Sequence, residues 1–132
     1  MTDAKKIKVM LVDDDKFLLD MYTLKFSRNG LEVNATTGPN DALAKLRGGY
    51  VPEILILDMV MPVMDGVELL TEIRKEKLAE GAIAIMLTNQ GQQSDIDRAK
   101  AAGVHGYIVK ASTIPSEVLT EILKIYEANT KK

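Results

Sequence analysis

Four short apolar runs in this chain each end at polar residues, and this repeated pattern limits the folds open to it. The runs span residues 9–12, 54–57, 83–87 and 107–109, and the residues that follow them are Asp13 with Asp14, Asp58, Thr88 and Lys110. Nearly continuous apolar runs of this length are typical of strands buried on both faces of a parallel sheet. Because the carboxyl ends of parallel strands meet at one edge of the sheet, the pattern predicts a single polar site there.

Segments with helical periodicity alternate with the strand-like runs. The pattern predicts strands at 7–12, 31–35, 53–57, 83–87 and 106–109, and helices at 15–29, 39–47, 65–77, 92–102 and 115–129. Strand–helix units in this order predict an α/β fold, a flavodoxin-like doubly wound (βα)5. We expect a parallel five-stranded sheet of order 2-1-3-4-5 with helices on both faces. The ligand site should then lie between the carboxyl ends of the first and third strands.

Length and composition indicate a single domain over residues 1–132, with a core from about 7 to 129. The chain is 46% hydrophobic and 27% charged, which is ordinary for a globular protein. Its net charge of −2 gives no general attraction to nucleic acid or to an anionic membrane, and it has no cysteine. No apolar stretch approaches the roughly 18 residues of a spanning helix. We therefore expect a cytoplasmic protein that binds neither nucleic acid nor membrane directly.

The acidic residues predict a site for a divalent cation. Asp13, Asp14 and Asp58 would converge within a few ångströms, where their charges repel one another unless a cation lies between them. Oxygen ligands without histidine or cysteine favour a hard cation, Mg²⁺ or alternatively Mn²⁺. A purely structural explanation is that the acids after the first strand cap the following helix, with Asp15 as the capping residue. That explanation leaves Asp58 unaccounted for.

The remaining polar residues at the strand ends suit a phosphoryl group. Asp58 could accept it as an acyl phosphate, and the Lys110 amine and the Thr88 hydroxyl could each contact a phosphoryl oxygen. Taken singly, these residues have ordinary explanations as a turn residue, a solvated strand end and a strand former. Their positions at successive strand ends favour a shared site, because phosphoryl transfer depends on positioning and charge neutralisation.

The order and spacing of these motifs resemble the receiver domain of two-component response regulators over essentially the whole chain. The matching residues are the pair Asp13-Asp14, the segment Asp58-Met-Val-Met-Pro-Val-Met-Asp65-Gly66, Thr88 and Lys110. The resemblance implies that Asp58 is the phosphoacceptor and that Thr88 and Lys110 contact the phosphoryl group. It also implies the metal ligands, which are Asp14 and Asp58 directly, the backbone carbonyl of Val60, and Asp13 largely through water. Tyr107 matches the switch position, where an aromatic ring turns inward as Thr88 closes on the phosphate.

The resemblance further implies a signalling role. A histidine kinase or histidine phosphotransfer protein would donate the phosphoryl group, and a downstream protein target would read the change on the helix 4–strand 5–helix 5 face. The chain would catalyse only its own phosphorylation and dephosphorylation, as a monomer or a phosphorylation-dependent dimer. One alternative is a receiver fragment of a larger multidomain regulator. Another is a Mg²⁺-dependent phosphohydrolase with an aspartyl nucleophile, although Val60 stands where such enzymes often have a second acid. A flavin-binding module and a locked protein-binding scaffold are weaker alternatives.

Two residues depart from the family pattern. Ala111 follows Lys110 where the family usually has a proline joined by a cis bond, and a cis bond before a non-proline residue costs about 2.5–4 kcal/mol. We expect either a trans bond with a rearranged loop or a strained cis bond, and hence a different aim of Lys110 or start of helix five. Asn89 replaces a small residue after Thr88, which predicts narrower access to Asp58 and slow reaction with bulky small-molecule donors.

The remaining polar residues suggest no further site. His105, the only histidine, falls in a predicted loop between two glycines, and we assign it no role. The polar residues of the fourth helix predict a solvated surface, with partner docking as an alternative.

Overall fold

The computed structural model describes residues 6–130, in which strands and helices alternate along the chain. The strands are β1 (Lys8–Val12), β2 (Glu32–Thr36), β3 (Ile54–Leu57), β4 (Ile83–Thr88) and β5 (Gly106–Val109). The helices are α1 (Lys16–Arg28), α2 (Pro39–Arg47), α3 (Gly66–Lys75), α4 (Gln93–Ala101) and α5 (Pro115–Thr130), with a 3-10 turn at Lys110–Ser112. Every predicted element is present, with small shifts at the ends. None of the helices within residues 6–130 is both long and apolar enough to span a bilayer.

The sheet is parallel with the order β2-β1-β3-β4-β5, which confirms the predicted flavodoxin-like arrangement. The strand order reverses between β1 and β3, and open α/β sheets bind ligands in the crevice at such a point. The register pairs Val12 of β1 with Leu57 of β3. Asp13 and Asp58 follow these two residues directly, so they leave the sheet side by side, and the Asp58 N–H donates to the Val12 carbonyl at 3.1 Å.

Each face of the sheet buries its own apolar cluster. Successive side chains of a strand point to opposite faces. Met10 and Leu55 therefore pack with α2 and α3 on one face, whereas Val9 and Ile54 pack with α1 and α5 on the other. Both β3 and β4 are buried along their whole length. Because each fully buried large apolar side chain contributes about 1.5–3 kcal/mol, the central strands hold the site residues on a rigid support.

The β3–α3 connection is held in one conformation. Val63 has a φ of +76°, a left-handed conformation that is unfavourable for a β-branched residue. A Cβ atom on Gly66 would lie 2.3 Å from the backbone oxygen of Asp58, so only glycine fits there. Asp65 caps α3 and forms a reciprocal capping box with Glu68. These constraints fix the backbone that follows Asp58.

Glu53 closes the opposite, amino end of the sheet. Its carboxylate accepts the backbone N–H of Lys8 at 3.2 Å and the hydroxyl of Tyr126 at 2.8 Å. Its backbone N–H donates to the Lys8 carbonyl, and its own carbonyl accepts from Ile83. One residue therefore joins the starts of β1, β3 and β4 to α5.

His105 has a structural role that its position in a loop did not suggest. Its backbone N–H donates to the Ala84 carbonyl at 2.7 Å, and its ring nitrogen Nδ1 accepts the Ala84 N–H at 3.0 Å. Ala84 is fully buried, so this bond satisfies a backbone donor that would otherwise be costly to bury. The expectation of no role for His105 was therefore wrong in structural terms.

Candidate functional site

Three carboxylates meet at the carboxyl edge of the sheet, as the pattern of strand ends suggested. One oxygen from each of Asp13, Asp14 and Asp58 lies within 4.8 Å of the others. Asp13 is 2% exposed and Asp58 is 9% exposed, whereas Asp14 is exposed to solvent. The cluster is therefore buried on one side and open on the side where a cation would enter. These oxygen-only donors suit a hard cation such as Mg²⁺.

Lys110 joins two of the three acids. Its Nζ lies 2.5 Å from Asp13 Oδ2 and 3.3 Å from Asp58 Oδ2, and its side chain is 6% exposed. Asp13 also accepts the backbone N–H of Asp15 at 2.9 Å, and the Val60 N–H donates to Asp58 Oδ1 at 3.3 Å. Asp15 caps α1 through its side chain, as the alternative explanation of the acidic run anticipated.

Burial and neighbouring charges shift the pKa of two of these groups. Burial raises the pKa of Asp13, and the hydrogen bond from Lys110 offsets only part of that effect. For Lys110, burial is the largest single influence and lowers the pKa, but the bond to Asp13 and the charges of Asp58 and Asp13 outweigh it and raise the pKa. Lys110 therefore remains an ammonium at neutral pH and pairs with Asp13 and Asp58, while the Asp14 carboxylate lies close to those two acids. A divalent cation would relieve the repulsion among them.

Lys110 lies in the turn after β5 and reaches the site without a cis peptide bond. No peptide bond within residues 6–130 is cis, so the Lys110–Ala111 bond is trans, which was one of the two alternatives. The chain passes through the 3-10 turn, and the Ile114 N–H before α5 donates to Glu117 Oε1 at 3.3 Å. A difference in the aim of Lys110 from the usual family pattern stays a prediction.

A cavity of about 170 Å³ opens beside Asp58. Its lining consists of Asp58, Val60, Thr88, Asn89 and Gln90. The buried Thr88 Oγ1 accepts the Gln90 N–H at 3.3 Å, and a hydroxyl that accepts one bond can still donate its own hydrogen. Asn89 forms part of the wall, and its narrowing of access to Asp58 stays a prediction. The Val60 carbonyl as a metal ligand also stays a prediction.

Tyr107 connects β5 to the loop that follows Thr88. Its hydroxyl donates to the Gln90 carbonyl at 2.5 Å, and its half-buried ring packs against the core on the α3 side. Burial, aided by the charges of Asp95 and Asp58, raises the pKa of Tyr107. Gln90 thus bonds to Thr88 through its N–H and to Tyr107 through its carbonyl. Sequence reasoning missed Gln90, although its place two residues after Thr88 was a signal that could have found it.

Similar proteins match this chain in sequence over most of its length. Residues 9–124 match the family model of the response regulator receiver domain. The chain is 30% identical over 118 residues to the chemotaxis protein CheY of Halobacterium salinarum, which covers 88% of this chain and 96% of that protein. It is 31% identical over 108 residues to the phosphate regulon transcriptional regulatory protein PhoB of Rhizobium meliloti. That match covers 82% of this chain but 47% of PhoB, so the chain spans about half the length of this relative.

Solved structures give the same assignment. A CheY-like response regulator receiver domain from Methanospirillum hungatei matches with a TM-score of 0.86 at 26% identity, covering 96% of this chain and 98% of that one. The residues matched by the family model include the whole acidic cluster, Thr88, Tyr107 and Lys110. The chain therefore belongs to the response regulator receiver domain family, whose members are phosphoacceptor signalling switches.

Proposed function

We propose that Asp58 is the phosphoacceptor of this receiver domain. The observation that carries the proposal is that Asp58 belongs to the acidic cluster and also lines the 170 Å³ cavity. Asp13 is held instead by Lys110 and by the Asp15 N–H, and it does not line that cavity. A phosphoryl group on Asp58 would therefore have space beside the Thr88 hydroxyl and remain close to the Lys110 ammonium.

The proposed reaction is an in-line phosphoryl transfer. A carboxylate oxygen of Asp58 attacks phosphorus, an acyl phosphate forms, and the P–N bond to the donor imidazole breaks, after which the imidazole takes a proton from solvent. Lys110 and Thr88 contact the phosphoryl oxygens. Mg²⁺, or alternatively Mn²⁺, would supply charge neutralisation. Its ligands would be Asp14, Asp58 and the Val60 carbonyl, with Asp13 acting largely through water.

The surface around the site supports a protein donor, either a histidine kinase or a histidine phosphotransfer protein. Six large apolar side chains are strongly exposed in the described part of the chain, and four of them follow the strand ends that build the site. These are Phe17, Val60, Val63 and Ile114, and Phe17 is 76% exposed while Val63 is 84% exposed. Exposed apolar residues in the segments that follow these strand ends favour contact with another protein at this edge of the sheet.

The hydrogen bonds of Gln90 to Thr88 and Tyr107 are proposed to couple phosphorylation to a change at the surface. Closure of Thr88 on the phosphoryl group would move Gln90 and release the Tyr107 hydroxyl, so that the ring turns inward. A downstream protein would read the change on the face formed by α4, β5 and α5. We propose a single receiver domain over residues 1–132, cytoplasmic, and a monomer or a phosphorylation-dependent dimer. A receiver fragment of a larger regulator is the alternative that the PhoB match favours.

A phosphorylation assay tests the proposal. The chain is incubated with Mg²⁺ and phosphoramidate, and intact-mass measurement is expected to show one added phosphoryl group that is stable in acid and lost in base. Asp58→Asn should show no adduct, chelation should prevent it, and Asp20→Asn, which changes an exposed aspartate of α1, should react normally. The proposal fails if no adduct forms with phosphoramidate or a histidine kinase, or if the Asp58→Asn variant still forms it. Turnover of an external phosphoester would favour the phosphohydrolase alternative instead.

A further inference from the structure

We propose that the ion pair between Arg98 and Asp65 is a salt-sensitive latch, which holds α4 against the β3–α3 connection and resists rearrangement of the site beside Asp58. Arg98 Nη1 lies 2.8 Å from Asp65 Oδ2, and the two side chains are 47% and 27% exposed. Because the pair is open to solvent, dissolved ions can weaken it. The latch as a hold on α4 is independent of the proposed function, whereas its effect on phosphorylation rests on that function.

Few buried contacts hold α4 to the rest of the domain. Among its nine residues, all within the described range, Ala99 alone is buried, whereas α3 buries five of its ten residues. Gln92, the residue before α4, makes no capping hydrogen bond through its side chain. Helices in proteins are stabilised mainly by the packing of an apolar face. An ion pair to another element therefore carries a larger share of the hold on α4 than it would on α3.

A cavity of about 280 Å³ lies between α4 and the β3–α3 connection, and both residues of the latch line it. Met59 and Met61 line it from the β3–α3 connection, and Gln90 lines it from the loop before α4. Space for one water needs only about 10–15 Å³, so this cavity leaves room for side chains to rearrange. Once the latch opens, α4 and the loop before it therefore have space in which to shift.

The Asp65 side of the latch is fixed, so α4 is the part that moves. Asp65 Oδ1 accepts the Glu68 N–H at 2.8 Å, and the Asp65 N–H donates to Glu68 Oε1 at 2.9 Å. Arg98, in contrast, has a second acid on its own helix, because Asp95 lies three residues earlier and also lines the cavity. Side chains at that spacing are neighbours on a helix surface. Arg98 therefore has a charge partner in the open state as well as in the latched state.

Gln90 connects the latch to the phosphorylation site. It lines both the 280 Å³ cavity and the cavity beside Asp58, and its N–H donates to Thr88 Oγ1. Closure of Thr88 on a phosphoryl group would draw Gln90 with it, and α4 begins three residues later, at Gln93. The latch therefore opposes that closure, and the response of the domain should strengthen as the salt concentration rises.

Hydrogen exchange of α4 amides in the full chain tests the latch without phosphorylation. Arg98→Met keeps an apolar stem but removes the charge, and Asp65→Asn removes the charge but keeps a good helix cap. Each should lower the protection of amides 97–101 about two- to fivefold, as expected for an exposed ion pair, and the double variant should lower it no further. Raising the salt from about 0.01 M to about 1 M should loosen α4 similarly in the wild type, because the screening length falls from about 30 Å to about 3 Å. Lys100→Met, at an exposed lysine of the same helix, is the matched control and should leave the protection unchanged.

The outcomes separate the latch from the phosphoacceptor proposal. Unchanged protection in Arg98→Met, an equal loss in Lys100→Met, or additive losses in the double variant would overturn the latch, even if Asp58 is phosphorylated normally. Protection that does not change with salt in the wild type would also overturn it. A loosened α4 in Arg98→Met, in a chain that forms no adduct, would support the latch and count only against Asp58.

The link to phosphorylation has its own measurement. Beryllofluoride with Mg²⁺ mimics a phosphoryl group, and fluorine NMR follows its binding. At low salt, Arg98→Met should bind it about two- to fivefold more tightly than the wild type, and the difference should disappear at about 1 M salt. Equal affinities at low salt, or a difference that persists at high salt, would overturn the link between the latch and the site.

Discussion

The carboxylates at the two ends of the parallel sheet differ in how their negative charge is compensated. At the amino end, Glu53 accepts neutral donors, namely the Lys8 N–H and the Tyr126 hydroxyl. At the carboxyl end, Asp13 and Asp58 share the single ammonium of Lys110, with Asp14 close by. The first arrangement joins secondary-structure elements, and its polar atoms are satisfied within the fold. The second leaves negative charge that the fold itself does not balance.

The difference shows how a receiver domain divides stability from function along its strands. A carboxylate with enough fixed donors is part of the framework, because its hydrogen bonds are complete without a ligand. A carboxylate crowded among others favours any cation or reaction that relieves the repulsion. Substitutions at the two ends should therefore change stability in different directions, and only those at the carboxyl end should respond to Mg²⁺.

The largest effect is expected for Lys110→Met. Removing the ammonium leaves two buried acids without their cation, so the free energy of unfolding should fall by about 3 kcal/mol. This value is at the lower end of the range for a broken buried ion pair, because the site is open to solvent beside Asp14. Urea unfolding with EDTA measures the loss, and saturating Mg²⁺ should recover part of it. Lys124→Met, at an exposed lysine, should change stability by less than about 0.5 kcal/mol. Similar losses in the two variants would contradict the comparison.

Glu53→Ala should have the next largest effect. The backbone N–H of Lys8 and the hydroxyl of Tyr126 both lose their acceptor, which should lower the free energy of unfolding by about 2 kcal/mol. Tyr126→Phe removes one of these bonds and should cost about 1 kcal/mol. The same urea series measures both changes, and neither should depend on Mg²⁺. A Mg²⁺-dependent loss at Glu53 would show that the two ends are not separate.

Asp58→Asn should act in the opposite direction. The amide keeps the shape of the side chain but removes one of three crowded negative charges, so in EDTA the free energy of unfolding should rise by about 1 kcal/mol. Saturating Mg²⁺ should remove the advantage, because the cation stabilises the wild-type cluster and loses a ligand in the variant. Asp97→Asn, on the solvated face of α4, serves as the control. A destabilised Asp58→Asn variant in EDTA would mean that Lys110 already balances the cluster.

The smallest effect is expected at the strained connection near the site. Val63→Gly relieves the strain of a β-branched side chain on a left-handed backbone, but glycine also makes the unfolded chain more flexible, which costs stability. The strain relief is expected to be larger, so the free energy of unfolding should rise by about 0.5 kcal/mol. Val51→Gly changes an exposed valine outside the left-handed region, and it should lower stability by a similar amount. Thermal unfolding of the pair would resolve the difference, and a loss in both variants would exclude stored strain at Val63.

Sequence patterns predicted the fold well because strands and helices depend on local periodicity. The strand-end residues were also accessible from the sequence, since parallel strands bring their carboxyl ends together. Contacts between distant side chains were not accessible: Tyr126 reaches Glu53 across 73 residues, and His105 bonds to Ala84 across 21. Such bonds depend on where packed elements finally direct each side chain. The trans bond before Ala111 likewise depended on the turn that the whole loop adopts.

The close approach of Gly66 to Asp58 has a mechanical consequence. There is no room for even a methyl group between Gly66 and the backbone of Asp58. The first turn of α3 therefore packs directly against that backbone. If Asp58 is phosphorylated as proposed, its backbone has little room to move toward α3. A designer who wished to let the backbone of Asp58 move would therefore need to change the contact with Gly66 first.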